Sequence, residues 1–220
     1  MAHIRGVILD VDGTLVDSND AHAHSWVEAM AESGYAVPFE KVRPLIGMGG
    51  DKVLPETIGV DNSSPEGQKI SKRRGEIFKK RYLSQVRPFP HAQDLLNRMR
   101  ERGLKLAIAS SAKPDELKDL LKIVGAADLI QDQSSAKDTS NSKPSPDVMR
   151  ITLQKINLPA HAVLMIGDTA YDIEAGQKVG VGTIAFRSGG WKDADLADAV
   201  AIYDGPADLL AHYDSSPLVQ

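Results

Sequence analysis

The apolar residues of this chain fall into short runs that alternate with stretches of helical spacing. Val7, Ile8 and Leu9 form a continuous apolar run ending at Asp10, as expected of a short strand buried on both faces. Ser18 or Asn19 can cap a helix that runs through Ala23, Trp26, Val27 and Met30 and stops at Gly34. An irregular stretch follows, carrying Pro38, Pro44 and Pro55 with Gly47, Gly49 and Gly50. Residues 66–84 read as a basic helix. Its charge run of Lys69, Lys72, Arg73, Arg74, Lys79, Lys80 and Arg81 is expected to form a solvated face. No strand pattern lies between residues 18 and 85, so this stretch reads as a small helical insert closing near Arg87-Pro88-Phe89-Pro90.

From residue 90 helix and strand alternate. Helix 91–102 ends at Gly103, and strand 104–109 ends at Ser110. Pro114 opens a helix through Leu117, Leu120 and Leu121 that Gly125 stops. Leu129 and Ile130 mark a short strand, and a polar loop, 131–142, leads to Lys143-Pro144. A helix spans about 145–157, strand 162–166 ends at Gly167-Asp168, another helix ends near Gly180, and strand 182–186 follows. The alternation predicts right-handed crossovers and an α/β fold. Residues 1–17 and 86–220 would form a Rossmann-like parallel sheet core, with a small helical cap domain, 18–85, inserted after the first strand. In such sheets ligands bind at the carboxyl ends of the strands, and Asp10, Ser110 and Asp168 each sit at such an end.

The 220 residues suffice for one large domain or a core with a smaller insert. A net charge of −4 gives no electrostatic case for binding nucleic acid or an anionic membrane. With no cysteine, disulfides, thiolate chemistry and Cys-type zinc sites are excluded. No signal peptide or membrane span is visible, so the expected location is cytoplasmic. Monomer and dimer remain equally open.

Asp10 and Asp12 stand two residues apart at the end of the first strand. An extended backbone directs both to one side, and Gly13 permits the turn that follows. Such a pair can be a solvated strand end. Two acids at the end of a buried strand are costly unless neutralised, and a hard divalent cation is the usual solution. The Ser110 hydroxyl and nearby N–H groups can hold a phosphate oxygen, although Ser-Ser-Ala turns are common in loops. Lys143 can neutralise phosphoryl charge, and Pro144 keeps its neighbourhood extended. In Gly167-Asp168-Thr169-Ala170-Tyr171-Asp172, Asp168 ends a strand and Asp172 lies one helical turn later on the same face. Asp172 serves equally as a helix N-terminal charge. Together Asp10, Asp12 through its carbonyl, Asp168 and Asp172 are the candidate ligands of an all-oxygen Mg²⁺ site.

Asp10-Val11-Asp12-Gly13-Thr14 resembles the first motif, Asp-x-Asp-Gly-Thr/Val, of the haloacid dehalogenase-like superfamily. Ser110 matches its second motif, Lys143 its third, and Asp168 with Asp172 the Gly-Asp-x-x-x-Asp form of its fourth, so the resemblance covers nearly the whole chain. The insert resembles the helical cap of the subfamily containing phosphoglycolate phosphatase and β-phosphoglucomutase. The resemblance implies a Mg²⁺-dependent phosphatase for a small phosphorylated metabolite. Asp10 would be the nucleophile, Asp12 the general acid and base, and Lys143 the catalytic cation. Thr14, Ser110, Ser111, His22 and Gly47 would bind substrate. His22 falls where mutase-like members place a cap-hinge histidine, although beside Trp26 it serves equally as packing. The loop Gly47-Met48-Gly49-Gly50-Asp51 lacks the arginine those mutases carry, which lowers the alternative of a phosphomutase. A receiver-type phospho-acceptor shares an acidic pair, but the insert and Asp12 argue against it.

Overall fold

Val7, Ile8 and Leu9 lie in a strand at the centre of the molecule. The computed structural model describes residues 3–130, 132–135, 137–139 and 141–219. In it β1 (Gly6–Leu9) is buried along its whole length. The chain then turns into β2 (Val16–Asp17) and enters a helical segment.

That segment holds α1 (Asn19–Glu32), α2 (Phe39–Val42), α3 (Gly50–Ile58) and α4 (Pro65–Ile77). The four share their own apolar cluster, which includes Trp26, Met30, Val42, Leu54, Ile70 and Ile77. Three expectations change here. Ser18 occupies the cap position of α1 without capping it, because its hydroxyl donates to Asp12 instead. The Pro- and Gly-rich stretch is ordered into α2 and α3, the latter flanked by Gly49 and a left-handed Gly59 and tolerating Pro55 inside it. The basic helix ends at Ile77 and continues as a π-helical turn, Phe78–Tyr82, and a 3₁₀ turn, Leu83–Gln85. The wider turn buries Phe78 directly after Ile77.

The segment closes at β3 (Arg87–Pro88), which pairs antiparallel with β2, so entry and exit meet in a two-stranded ribbon. Then come α5 (Ala92–Glu101), β4 (Lys105–Ala109), α6 (Pro114–Val124), β5 (Asp132–Ser134), α7 (Asp147–Ile156), β6 (Val163–Gly167), α8 (Ala170–Gln177), β7 (Gly182–Phe186), β8 (Ala201–Tyr203) and α9 (Pro206–Ala211). The main sheet runs β5-β4-β1-β6-β7-β8, and each described pairing is parallel. This is the expected Rossmann-like α/β sheet. Strand order reverses at β1, where Leu9 stands opposite Ile108 of β4 and Ile166 of β6. Ligand crevices form at such reversals.

Helices on both faces account for the unbroken apolar run. Val7 and Leu9 pack with Leu95 and Leu96 of α5 and Leu117 and Leu121 of α6. Ile8 points the other way and packs with Met149 of α7, Met165 of β6 and Ala175 of α8. Each such aliphatic burial contributes about 1.5–3 kcal/mol. Leu129 and Ile130 are not in a strand. They pack against the first of these clusters, and the strand follows at Asp132–Ser134 on the sheet edge, where a polar sequence needs little burial. Within the expected loop 131–142, residues 131, 136 and 140 lie outside the described residues. No helix of the described residues is long and apolar enough to cross a membrane.

Candidate active site

Adjacent strands lie about 4.8 Å apart, so groups just past the carboxyl ends of β1, β4 and β6 share one small region. Asp10, Ser110 and Asp168 are those groups, and all three are buried. Lys143 arrives from the segment between β5 and α7, ahead of a cis peptide bond to Pro144, and is fully buried. Its Nζ donates to Asp10 Oδ1 at 2.6 Å and to Asp172 Oδ1 at 2.7 Å. Asp172 also accepts, through Oδ2, from the Thr169 N–H and hydroxyl, closing the capping box that starts α8. Asp168 accepts from the Thr14 hydroxyl at 2.8 Å and from Asn19 Nδ2 at 2.9 Å. Thr14 was expected to bind substrate. It is instead fully buried and spends its hydroxyl on Asp168, so it positions an acid and does not line the cavity.

Carboxylate oxygens of Asp10, Asp168 and Asp172 lie within 4.8 Å of one another. One ammonium faces three buried acids. Burial pushes Asp10 well above the usual carboxylate range, with Asp172 and Asp168 adding to it and Lys143 opposing. Burial and the neighbouring Asp172 push Asp168 up to about 7, against the hydrogen bonds from Thr14 and Asn19. Burial alone would pull Lys143 down, but Asp10 and Asp172 outweigh it and hold the ammonium above its ordinary value. Crowded, uncompensated oxygen donors of this kind fit a hard divalent cation such as Mg²⁺. The cluster excludes the Asp12 carboxylate. Gly13 is required beside it: at φ +76° its Cβ would stand 2.2 Å from both Asp168 Oδ2 and Asn19 Nδ2.

Asp12 has different company. Its Oδ1 accepts from the Ser18 hydroxyl at 2.5 Å and lies 2.6 Å from His22 Nε2. On the other edge of the ring, Arg74 NH2 lies 2.5 Å from His22 Nδ1. A guanidinium only donates, so Nδ1 accepts, and the ring proton sits on Nε2 and is donated to Asp12. Burial pushes the Asp12 carboxyl up, but His22, Ser18 and Arg74 outweigh it and hold the group below its ordinary value. The His22 ring stacks on Phe78 at 4.2 Å, so it is both packed and hydrogen-bonded.

A cavity of about 570 Å³ is bounded by Asp10, Asp12, Ser110 and Ser111 on the sheet side and by Trp26 and Arg74 on the helical side. The Ser110 hydroxyl accepts the Ala112 N–H at 3.0 Å, which leaves its own proton free to donate. Ser111 and Gly47 border the cavity but bind each other, Oγ to carbonyl at 3.1 Å. Gly47 stands at φ +109°, and its Cβ would meet Thr169 at 2.8 Å. Asn19, Arg74 and Glu116 were not expected here. Arg74 had a signal, since Ile70, Arg74 and Ile77 share one helical face, and both isoleucines are buried.

Comparison with known proteins agrees with this geometry. A phosphoglycolate phosphatase of Aquifex aeolicus (strain VF5) is 32% identical, the match covering 82% of this chain and 83% of that protein. The crystal structure of a hydrolase from Pseudomonas syringae superposes with a TM-score of 0.88 at 27% identity, covering 96% of this chain and 98% of that one. β-Phosphoglucomutase from Clostridium difficile shares the fold, with a TM-score of 0.85 at 18% identity and 96% of each chain covered. The family profile described as haloacid dehalogenase-like hydrolase matches residues 7–186, and this chain belongs to that family.

Proposed function

We propose that this chain is a Mg²⁺-dependent phosphatase that hydrolyses a phosphomonoester of a small metabolite through an aspartyl-phosphate on Asp10. The observation that carries the reading is the pair of carboxylates two residues apart in opposite environments. Asp10 is bound to Lys143 and crowded by acids, while Asp12 is held by His22, Ser18 and Arg74. Asp10 attacks as a carboxylate, and a divalent cation held by its cluster would join Lys143 in offsetting the burial and the neighbouring acids that raise it, while Asp12, outside the cluster, is left for proton transfer. Asp10 Oδ1 is engaged by Lys143, and among the described residues no hydrogen bond reaches Oδ2. That oxygen attacks phosphorus, the P–O bond to the metabolite breaks, and the departing oxygen takes a proton from Asp12, which picks that proton up from solvent when the anionic phosphoryl group binds beside it and raises its proton affinity. Asp12 then takes a proton from the water that attacks the phosphorus of the aspartyl-phosphate, releasing phosphate and restoring Asp10. The Ser110 hydroxyl holds a phosphoryl oxygen, and Lys143, bound to Asp10, neutralises charge on Asp10 and on the phosphoryl group transferred to it. A Mg²⁺ held by Asp10, Asp168 and Asp172, with the Asp12 carbonyl as a further oxygen ligand, would add Lewis-acid stabilisation of the transferring phosphoryl group.

Residues 18–85 act in this reading as a cap that opens for substrate and closes against bulk water. A mutase needs a second phosphate clamp from the helical segment; among the described residues the arginine bordering the cavity, Arg74, is committed to Glu116 and His22, and the other cations there, Lys113 and Lys137, belong to the sheet side. This supports hydrolysis over isomerisation. ³¹P NMR of reactions with β-glucose 1-phosphate, with and without added bisphosphate, tests it. Inorganic phosphate is the expected product, and build-up of glucose 6-phosphate in preference to phosphate would overturn the hydrolase assignment.

A further inference from the structure

We propose that Arg74 and Glu116 are positioning residues for Asp12, acting through His22, and that the set is complete only when the helical segment is seated on the sheet domain. The proposal rests on the phosphatase reading above. Four side chains form one hydrogen-bonded series: Asp12 Oδ1 to His22 Nε2 at 2.6 Å, His22 Nδ1 to Arg74 NH2 at 2.5 Å, and Arg74 NH1 to Glu116 at 2.7 and 3.0 Å. The series changes layer twice. Asp12 follows β1, His22 stands on α1, Arg74 on α4, and Glu116 in the first turn of α6 on the sheet side. Lifting α4 away from α6 separates Arg74 from Glu116.

An acid in the first turn of a helix is favoured by the backbone dipole alone. That accounts for Glu116 being acidic, and it does not account for the arginine set against it. A second ion pair joins the same region of the two layers, Lys79 to Asp119 at 3.4 Å, but Lys79 is 71% exposed, and such pairs contribute little. The Arg74 and Glu116 side chains are each 12% exposed. Arg74 is further fixed over the rings of Trp26 and Phe78, at 5.4 and 5.3 Å. A guanidinium this constrained presents one N–H to His22 Nδ1 in a fixed direction. That contact dictates the tautomer, places the ring proton on Nε2, and directs it to Asp12 Oδ1. Ser18 donates to the same oxygen. Among the described residues no hydrogen bond reaches Asp12 Oδ2, and Asp12 borders the cavity, so Oδ2 is the oxygen left to exchange a proton with the leaving group. Without Glu116, Arg74 loses the anchor that sets its direction, and Asp12 is free to turn.

The test compares leaving groups. Good leaving groups need little protonation and poor ones need it most. Glu116→Ala, Glu116→Gln and Arg74→Met are assayed on substituted phenyl phosphates from p-nitrophenyl to unsubstituted phenyl, with kcat and KM separated. The expected result is a steeper dependence on leaving-group basicity. The loss in kcat on phenyl phosphate should exceed that on p-nitrophenyl phosphate by about tenfold, and Arg74→Lys should recover part of it. Equal losses across the series, or a rise in KM with kcat unchanged, would show a latch that only holds the layers together and would overturn the proposal. If Glu116→Ala does not fold, Glu116→Gln decides, since it keeps the shape and one acceptor. In a ¹⁵N-histidine-labelled sample, His22 should show the Nε2–H tautomer, and this preference should weaken in Arg74→Met. An unchanged His22 signal in that variant also overturns the proposal. Asp10→Asn in the same assay separates the two failures. Residual turnover near wild type there removes the aspartyl-phosphate on Asp10 and the proposal that rests on it, whereas a dead Asp10→Asn with an unchanged leaving-group slope in the Glu116 and Arg74 variants removes the proposal alone.

Discussion

Asp10 and Asp12 are two residues apart and live in regions built on opposite principles. The region around Asp10 is made by the sheet: three adjacent strand ends, one buried lysine and more negative charge than the lysine offsets. The region around Asp12 is made by packing between layers: a histidine from α1, an arginine from α4 and the hydroxyl that would otherwise cap a helix. The first drives its carboxyl up and calls for a further cation, while the second holds its carboxyl below the ordinary range through His22, Ser18 and Arg74. A strand end can thus supply a nucleophile by topology alone, but the neighbouring acid–base group needs a second layer to orient it.

The comparison breaks most sharply at Asp10. Asp10→Asn keeps the shape and removes the nucleophile, so phosphate release in a steady-state assay should fall about 10⁴-fold or more. Lys143→Met tests the charge balance of the same region. It leaves Asp10 and Asp172 buried without their partner, and breaking a buried pair costs about 3–5 kcal/mol. Urea denaturation of the metal-free protein should show a loss of that size, and a loss under 1 kcal/mol would mean that the acids do not depend on the lysine. Mg²⁺ separates the two regions directly. At about a hundredfold over its dissociation constant it should stabilise the folded protein by about 2–3 kcal/mol in thermal unfolding. Asp168→Asn should lose most of that shift and Asp12→Asn should keep it, because the Asp12 carboxylate is outside the cluster. The smallest effect is expected at Ser18. His22 still holds Asp12 Oδ1 in Ser18→Ala, so kcat on phenyl phosphate should fall by about fivefold, the equivalent of one hydrogen bond of about 1 kcal/mol.

The two regions also differ in how far the sequence reveals them. Asp10, Ser110 and Asp168 were legible because each ends a short apolar run, and parallel topology then sets strand ends side by side. The burial of Lys143 was not legible from its surroundings, which are polar; only the motif resemblance pointed to it. Asp172 suggested both a helix N-terminal charge and a site residue, and its two oxygens are divided between the α8 cap and Lys143. The Asp12 region was mostly hidden. Ser18 and Asn19 looked like helix caps because polar residues before a helix usually are, but a carboxylate nearby, half-buried Asp12 for the first and buried Asp168 for the second, is the stronger acceptor. Arg74 was lost within a basic run in which Lys69, Lys72, Lys79 and Lys80 are indeed exposed. Its phase with Ile70 and Ile77 marks it as inward-facing, and nothing local pairs it with Glu116. Contacts made between layers are set by tertiary packing, and periodicity within one helix shows only which face turns inward.

The central claim is that Asp10 carries the phosphoryl group and Asp12 moves the protons. Rapid-quench reaction with ³²P-labelled p-nitrophenyl phosphate, followed by digestion and mass spectrometry, tests it most directly. This leaving group needs little acid help, so Asp12→Asn should still form the phosphoenzyme and then hydrolyse it slowly, for want of a base to activate water. The account predicts label on the peptide containing Asp10, higher in Asp12→Asn than in wild type and absent from Asp10→Asn. Label on Ser110 or His22, or turnover by Asp12→Asn at the wild-type rate with no Asp10 label, would contradict it.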